Sequence, residues 1–346
     1  MTKTFLKINK NTTLSSRVIL PNNCNLEPTL CDVNNYPKIS IVTVNYNNGD
    51  FLEQTIKSVI EQEYPNLEYI LIDGGSTDNS LEIIERYASH FSYWVSEPDE
   101  GQYQAIQKGF DKSSGEIMAW LNSDDKYLPE SLFTVAEIFA KYKDVNWLMG
   151  LAREYTEKGA LVGQITLPWC RWSKYRYLTN DFQFIQQESS FWSRELWDKA
   201  GGKLDFDFDL AGDMELWSRF FQHEKLHTTV MELSGFRHRK EGQRSKVGKK
   251  TYLEECRQVV KREQKQLSIG AKIGLPFRYL AKWVFGPFFF LDWPFFRWLY
   301  RLSFSIPDVI YYDFHKHDYT KEPRMVKLPP RMFGGRQVHR KMFSQK

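Results

Sequence analysis

The sequence predicts an α/β fold in which a mainly parallel β-sheet is covered by helices on both faces. Three apolar runs, at 39–44, 67–72 and 117–121, have the length and composition of buried strands. Segments whose apolar residues recur at helical spacing lie between these runs. Strands that alternate with helices at this spacing are typical of a parallel sheet.

The first half of the chain supplies the elements of this sheet in order. The β-branched run 39–44 predicts the first strand, and residues 51–60 then place apolar side chains on one helical face. A second strand at 67–72 leads through a turn to a helix that Asp78 can cap. The further predicted elements are a strand at 91–95, a helix at 102–112, a strand at 117–121, a helix opened by Pro129, and a strand at 145–150.

Beyond residue 169 the predicted elements are fewer. A helix is expected from about Glu195, ended by Gly201 and Gly202, which suit a positive φ. Asp213 is expected in the first turn of another helix, whose apolar face includes Trp217 as a core residue. Two more segments are predicted from composition, a basic loop at 236–245 and a charged helix at 249–266.

The C-terminal part of the chain differs in composition from the rest. Residues 273–312 are dense in aromatic residues with basic neighbours, but hold no uninterrupted apolar run of the roughly 20 residues that a spanning helix needs. Such helices suit the headgroup region, so we expect this segment to contact a membrane surface. The alternative is that these aromatic side chains pack on the rest of the protein or on another subunit.

These patterns divide the chain into three parts and indicate its compartment. We predict an N-terminal extension at 1–36, an α/β domain at 37–245 and a helical, aromatic and basic region at 246–346. Four cysteines without a CxxC pair predict free thiols in a reducing compartment, and the first ten residues lack the apolar core of a secretion signal. The expected location is therefore cytoplasmic, peripheral on the inner face of the membrane if 273–312 binds lipid.

Two adjacent acids, Asp124 and Asp125, follow the strand at 117–121. They lie at the carboxyl edge of the predicted sheet, where open α/β sheets bind ligands. Carboxylates held close repel each other unless a cation or a proton neutralises one of them. A hard divalent cation that holds a diphosphate is the usual reason for such a pair, while a simple polar turn is the alternative. The turns at 43–49 and 73–78 are expected at the same edge.

Some classes of site are disfavoured by the same sequence. No glycine-rich dinucleotide or Walker pattern follows a predicted strand, which argues against those nucleotide sites. The net charge of +4 is small, and we predict no nucleic-acid partner.

Residues 38 to about 245 resemble the family 2 glycosyltransferases, which are inverting enzymes with a nucleotide-binding GT-A fold. Several motifs carry this resemblance in order along the chain. They are Ile41-Val-Thr-Val-Asn-Tyr-Asn-Asn48, Asp73-Gly-Gly-Ser-Thr-Asp78, Glu100-Gly-Gln-Tyr-Gln-Ala-Ile-Gln-Lys-Gly109, Asn122-Ser-Asp-Asp125 and Asp213-x-x-Leu-x-x-Arg219. The resemblance implies a Rossmann-like sheet flanked by helices, here followed by a helical, aromatic-rich C-terminal extension.

The resemblance also implies a reaction, the transfer of a sugar from a nucleotide-diphosphate sugar to an acceptor hydroxyl. Asp125, with Asp124 near the ribose or the metal, would hold Mg²⁺ or Mn²⁺ against the diphosphate. Asp73 would accept from the base or the ribose. The other expected nucleotide contacts are Thr43 and Asn45, lining the base pocket, and Lys108, for which an exposed helix lysine is the alternative.

Inversion needs a general base on the face of the sugar opposite the leaving group, and the resemblance implies Asp213 for this role. The alternative is an acid that the helix dipole stabilises. Arg219 would orient this helix or pair with an acid, and Gln187 and Glu188 would touch the acceptor or the transferred sugar. The membrane-leaning C-terminus favours a glycan or lipid-linked acceptor, as in cell-surface polysaccharide assembly.

Three departures from the family pattern limit what the resemblance implies. Gly212 stands where the family often has Glu before the base, and Asn122 replaces the first acid of the longer metal motif. The family also often completes the metal site with a histidine. His238 is the candidate here, although its spacing is one residue long, and Arg237 and Arg239 are alternative phosphate contacts.

Two other functions remain open on the residues alone. A sugar nucleotidyltransferase would need a glycine-rich, basic loop after the first strand, and 43–51 has neither feature. A non-catalytic, nucleotide-binding scaffold of the same fold is compatible with Gly212 and Asn122. The joint presence of Asp73, the two acids at 124–125 and Asp213 argues against it.

Overall fold

The computed structural model describes residues 36–164, 173–180, 185–240, 248–290, 295, 298, 304–305 and 307–322. The expected N-terminal extension lies outside these residues, except for Tyr36. Part of the aromatic segment 273–312, Cys24, Cys31 and Cys170 lie outside them as well.

Four parallel strands form one half of the sheet. They are β1 (Ile39–Asn45), β2 (Leu67–Asp73), β3 (Tyr93–Ser96) and β4 (Ile117–Asn122), in the spatial order β3-β2-β1-β4. The helices α1 (Gly49–Ile60), α2 (Ser80–Arg86) and α3 (Gln102–Asp111) follow the first three strands in turn. The sequence prediction of these elements is confirmed, with ends that agree within two residues.

The other half of the sheet is mixed in direction. Its strands are β5 (Lys126–Tyr127), β6 (Trp147–Thr156), β7 (Leu161–Gln164), β8 (Ser190–Ser193), β9 (His227–His238), β10 (Val309–Asp313) and β11 (Asp318–Glu322). Within the described residues, the order is β11-β10-β9-β6-β8-β4-β1-β2-β3, with β5 beside β9 and β7 beside β6. Strand β8 runs antiparallel to both β4 and β6 and joins the two halves.

Within the part of the chain that the structure describes, six further helices accompany this half of the sheet. They are α4 (Ser131–Lys141), α5 (Lys174–Leu178), α6 (Arg194–Lys199), α7 (Gly212–His223), α8 (Lys249–Gln266) and α9 (Ile269–Phe290). As predicted, Gly201 and Gly202 follow α6 with φ of 99° and 66°. Asp213 lies in the first turn of α7, also as predicted.

The prediction of a basic loop at 236–245 is wrong for residues 236–238, because these residues form the last part of strand β9. Their backbone pairs in parallel with residues 154–156 of β6. Arg237 is 2% exposed despite its charge, because its polar atoms are satisfied inside the protein. The basic composition suggested solvent exposure, and tertiary hydrogen bonds override it. Residues 241–247 lie outside the described part.

The C-terminal part contacts the rest of the protein through both a helix and a hairpin. Helix α8 buries Cys256, a free thiol as predicted, together with Val259 and Val260. Strand β10 pairs in parallel with β9, and β11 returns antiparallel to β10. No helix in the described part is both long enough and apolar enough to cross a membrane. The boundary at 245 stays a prediction.

An aromatic cluster fills the core on one face of the sheet. Trp217 of α7 stacks on Trp120 of β4 with ring centroids 5.7 Å apart and planes 5° from parallel. The same indole stacks on Trp147 of β6 at 5.2 Å and meets Trp192 of β8 edge-on. All four indoles are at most 1% exposed, so Trp217 is a core residue and fixes α7 against three strands.

We expect Trp217→Ala to lower the free energy of unfolding by about 3–5 kcal/mol, because it removes a large buried ring and leaves a cavity. Denaturant unfolding followed by circular dichroism measures this loss. Phe206→Ala, at a ring that is 55% exposed, serves as the control and should change stability by at most about 0.5 kcal/mol. Equal losses for the two variants would contradict this account of the core.

Candidate active site

The turn after β4 carries the two adjacent acids, and α1 holds it in place. The hydroxyl of Thr55 lies 2.8 Å from the carbonyl oxygen of Ser123 and 2.6 Å from that of Asp125. Thr55 is fully buried, and Asp125 is 3% exposed. The backbone of the turn is therefore fixed from the side of the first helix.

Arg237 of β9 fixes the same turn from the opposite side. Its backbone N–H donates to Oδ1 of Asp125 (3.0 Å), and its Nε donates to the carbonyl oxygen of Asp124 (2.9 Å). Its two terminal nitrogens donate to the Glu157 carbonyl oxygen and to Oε1 of Gln54. This guanidinium, which the sequence suggested as a phosphate contact, is engaged in shaping the acidic turn.

Arg239 lies closer to the open side of the turn. One of its terminal nitrogens donates to Oδ1 of Asn48 at 2.8 Å and lies 3.5 Å from Oδ2 of Asp124. The side chains of Arg239 and Asp124 are each about one-fifth exposed, so both border the cleft. The guanidinium of Arg239 thus lies within ion-pair distance of a site carboxylate.

Four acidic side chains are linked by electrostatic interactions, and we call the region that they border the cleft: Asp124, Asp125, Glu188 and Asp213. Burial raises the pKa of Asp125 well above its ordinary value, and the charges of Asp124 and Glu188 raise it further. Burial also raises the pKa of Asp124, although Arg239 opposes the shift. Glu188 lies in the 3₁₀ turn Gln187–Ser189 and is 4% exposed. Burial, with the charges of Asp124 and Asp213, raises its pKa to about 7.

The N-terminus of α7 presents Asp213 to this cleft. The backbone N–H of Asp213 donates to the hydroxyl of Tyr103 at 3.2 Å, and that hydroxyl donates to the carbonyl oxygen of Leu210 at 2.9 Å. The N–H of Met214 donates to Oδ1 of Asp213 at 2.6 Å. Burial raises the pKa of Asp213 to about 7, and the charge of Glu255 adds to this rise.

The loops after β1 and β2 meet through Asp73. Its carboxylate is fully buried and accepts from Nδ2 of Asn45 (2.7 Å), the N–H of Ser76 (2.9 Å) and the hydroxyl of Ser96 (2.6 Å). Asp73 therefore organises three loops at the carboxyl edge of the sheet. Oδ1 of Asn45 is buried, and no described residue donates to it.

The remaining predicted nucleotide contacts lie at different depths. Thr43 is fully buried, and its hydroxyl oxygen accepts from the hydroxyl of Tyr69 at 3.1 Å, so it belongs to the core as the structure stands. Lys108 of α3 pairs with Glu97 at 2.9 Å, beyond the end of β3. That ion pair places Lys108 at the loop edge which Asp73 organises, because the N–H of Glu97 donates to the Asp73 carbonyl oxygen.

His238 does not lie with the acidic pair. Its Nε2 is 3.4 Å from a carboxylate oxygen of Glu154, and its ring meets that of Phe236 edge-on. Arg237 and Arg239 both lie over the ring of Phe51 instead, at 5.0 and 5.2 Å. Because side chains alternate along a strand, His238 points to the opposite face of β9 from the two arginines.

Comparison with known proteins identifies the family. The profile of "Glycosyl transferase family 2" matches residues 40–192. An uncharacterised glycosyltransferase of Mycobacterium tuberculosis is 33% identical over 183 residues, which cover 52% of this chain and 67% of that protein. This chain belongs to glycosyltransferase family 2. It is therefore a glycosyltransferase, and the resemblance on which the sequence interpretation rested is confirmed.

Two other proteins that are similar to this family 2 glycosyltransferase add to the comparison. TuaG of Bacillus subtilis, a glycosyltransferase named for teichuronic acid biosynthesis, is 34% identical over 101 residues, 28% of this chain and 39% of that protein. Staphylococcus aureus TarS, solved in complex with UDP-GlcNAc, superposes with a TM-score of 0.57 at 15% identity, over 71% of this chain and 72% of that one. At such low identity the likeness to TarS concerns the fold, and it supports the predicted α/β architecture.

The acidic turn of this glycosyltransferase can hold a divalent cation through a pair of carboxylates. Among the described residues, no three His, Cys, Asp or Glu side chains converge as a complete metal cage. Mg²⁺ is usually held by one or two carboxylates and completes its shell with water and substrate phosphates. Asp124 and Asp125 supply such a pair, and a bound cation would offset the burial that raises both pKa values.

The structure explains two departures from the family pattern. A Cβ at Gly212 would lie 2.7 Å from the ring of Tyr103, whose hydroxyl holds the backbone of Asp213. The ring of Tyr103 thus occupies the space that a side chain at position 212 would need. Asn122 accepts from Nε2 of Gln102 (2.8 Å) and donates to Oε1 of Gln187 (3.3 Å), so it links α3 to the turn of Glu188.

Sequence reasoning missed two residues at this site, Tyr103 and Glu255. Tyr103 lies in a quoted family motif, but nothing local indicates that its hydroxyl reaches residues 210–213. Glu255 lies 42 residues after Asp213, in a segment whose local pattern indicates only a charged helix. Both contacts are tertiary and have no counterpart in local periodicity.

We expect Gly212→Ala to lower the free energy of unfolding by about 1–3 kcal/mol, because the added methyl group displaces the Tyr103 ring. Thermal and denaturant unfolding measure this loss. Gly270→Ala in α9 is the matched control, since a Cβ there meets nothing within 4 Å and alanine favours a helix. A Gly212→Ala protein as stable as the control would show that the ring does not occupy this space tightly.

Proposed function

We propose that this protein is an inverting, metal-assisted glycosyltransferase. It would move a sugar from a nucleotide-diphosphate sugar to an acceptor hydroxyl, in the assembly of cell-surface polysaccharide or a lipid-linked glycan. The observation that carries the proposal is buried Glu188, which interacts electrostatically with both Asp124 of the acidic turn after β4 and Asp213. The complex of TarS with UDP-GlcNAc supports a nucleotide-sugar donor, and the name of TuaG supports the polysaccharide context.

Departure of the nucleoside diphosphate is the first requirement of this reaction. Asp124 and Asp125 would hold Mg²⁺ or Mn²⁺, which when bound spreads the charge of the leaving diphosphate. Arg239 stands beside Asp124 and can contact a phosphate oxygen on the open side of the turn. His238 faces Glu154 instead, so the proposed metal site does not include it.

Nucleotide recognition is proposed at the loops that Asp73 organises. Asn45 presents a buried carboxamide oxygen there, suited to an N–H or O–H donor of the base or the ribose. Lys108 lies at the same edge and would reach the donor by leaving Glu97. Thr43 supports this loop from within the core.

Proton removal from the acceptor is assigned to Asp213. A general base works best when its pKa lies near the operating pH, and burial brings the pKa of Asp213 to about 7. Glu188 lies between the base and the acidic turn, and its Oε1 has no hydrogen-bond partner among the described residues. A sugar hydroxyl that donates to Oε1 would satisfy this buried atom, so Glu188 is the proposed contact to the transferred sugar.

We expect Asp213→Asn to lower kcat by about 10²–10⁴-fold, the usual contribution of a general base. Asp125→Asn should also abolish most turnover and weaken Mn²⁺ binding. The assay follows release of nucleoside diphosphate from a panel of nucleotide sugars with an extract of lipid-linked glycans as acceptor. Asp207→Asn, at an exposed acid outside the cleft, is the control and should keep full activity. Wild-type turnover in either cleft variant would refute its assigned role.

Contact with a membrane surface is proposed for α9. Five of its exposed apolar residues share one side of the helix at about 100° per residue: Ile269, Ile273, Phe277, Leu280 and Val284. Toward the opposite side, Leu275 packs on the core and Arg278 lies over the ring of Tyr175 at 3.9 Å. An exposed apolar stripe on an anchored helix suits insertion at the level of lipid headgroups.

The charge distribution selects an anionic membrane as the partner of this stripe. Residues 246–346 carry 21 Lys and Arg against 8 Asp and Glu, a net charge of +13. Residues 1–245 carry 26 against 35, a net charge of −9. Basic segments beside an apolar anchor are attracted to anionic headgroups.

We expect the double variant Ile273→Ser/Phe277→Ser to bind vesicles of phosphatidylcholine and phosphatidylglycerol about tenfold more weakly, because it removes two apolar anchors. Co-sedimentation at several salt concentrations measures this binding, which should also weaken as salt increases. Leu161→Ser/Val162→Ser is the matched control, with two residues on β7 that are each 58% exposed. Equal binding by wild type and the α9 variant would exclude this surface.

A further inference from the structure

A carboxylate from the C-terminal region caps the helix that carries Asp213. Oε2 of Glu255, on α8, accepts from the N–H groups of Leu210 (2.9 Å) and Ala211 (2.7 Å), and Oε1 accepts from Asp209 at 3.4 Å. Ala211 is the N-cap of α7 and has no side chain that can cap a helix. Glu255 is buried, so these bonds form away from solvent.

We propose that Glu255 is a positioning residue for the transfer reaction, one that fixes the segment 209–211 and thereby the place of Asp213 at the cleft. This inference rests on the proposed role of Asp213 as the general base. It also extends the catalytic unit to α8, well beyond the residues 40–192 that the family profile matches.

The geometry explains why an acid, rather than a neutral group, serves at this place. The N-terminus of a helix carries partial positive charge, which by itself favours the ionised form of a nearby carboxyl group and weakens it as a base. Glu255 engages the N–H groups of the N-cap residue Ala211 and of the two residues before it, and sets a negative charge near Asp213. That charge adds to the effect of burial in raising the pKa of Asp213.

Several other titratable groups interact with Asp213, and they come from three elements. Tyr252 and Cys256 project from α8, Tyr103 from α3, and Glu188 from the 3₁₀ turn before β8. Burial raises the pKa of both Tyr252 and Cys256, so each is neutral near pH 7. Glu255 and Glu188 are therefore the two acids of this set that act on the charge of Asp213.

The test is a steady-state comparison of full-length wild type, Glu255→Gln and Glu263→Gln at saturating Mn²⁺. Glu263 is the matched control, because it is buried on the same helix but receives its hydrogen bonds from Gln222 (2.9 and 3.1 Å). We expect Glu255→Gln to lower kcat by about 10- to 100-fold, because the base is misplaced, with little change in the KM for the donor. Glu263→Gln should keep wild-type kcat.

The pH profile provides the readout that a merely structural role would not change. The base must be ionised to act, so kcat/KM falls on the acid side of the pKa of Asp213. Removing the charge of Glu255 lowers that pKa, and the acid limb of Glu255→Gln should move to lower pH. Glu255→Asp keeps the charge but shortens the side chain, so it should lower kcat and leave the acid limb in place.

Three outcomes decide the question. A wild-type kcat and acid limb in Glu255→Gln, or the same loss in Glu263→Gln, would overturn the positioning role. If Glu255→Gln does not fold, Glu255→Asp decides alone, and wild-type kcat in that variant would overturn the role. Asp213→Asn is measured in parallel, because full activity there shows that the base assignment has failed, whatever Glu255 does.

Discussion

The stacking of Trp120 on Trp217 sets the relation between the two halves of the proposed active site. Trp120 lies four residues before Asp124 in β4, and Trp217 lies four residues after Asp213 in α7. Their rings are 5.7 Å apart and nearly parallel, so one buried contact joins the strand that ends in the acidic turn to the helix that begins with the base. A change in this packing would alter the separation of leaving group and acceptor, because cores are close-packed and transmit displacement.

Charge in the cleft is the second constraint on this structure. It destabilises the fold, whereas the packing of the two buried indole rings stabilises it. Glu188 and Asp213, with pKa values of about 7, retain protons that an unfolded chain releases near pH 4. The folded state binds more protons across this window, so these acids lower stability as the pH rises from about 4 to 7. Arg237 stabilises the neighbouring acidic turn by bonding to its backbone. A cation and a sugar hydroxyl, both bound only by the folded state, would offset this loss of stability.

How much of this fold the sequence predicts depends on whether each element has a local sequence signal or depends on long-range contacts. The first four strands and three helices were predictable, because 39–122 alternates apolar runs with turn residues and each signal is local. Strand β9 was not, because its last residues are basic and its pairing partner β6 lies some 80 residues away. The same distinction holds at the site. Asp124, Asp125 and Asp213 occupy ordered motifs, whereas the Glu255 cap joins residues 44 apart in sequence and has no local signature.

The C-terminal region thereby acquires two connected roles in the proposed reaction. Helix α8 holds the N-terminus of α7 through Glu255, and Arg262 of the same helix pairs with buried Glu215 in the first turn of α7. Helix α9 begins three residues after α8 ends and carries the exposed apolar stripe. A glycosyltransferase that acts on a lipid-linked acceptor must place its base near the membrane surface. Anchoring the base helix to the element that precedes the helix proposed to contact the membrane would satisfy this requirement with one continuous segment of chain.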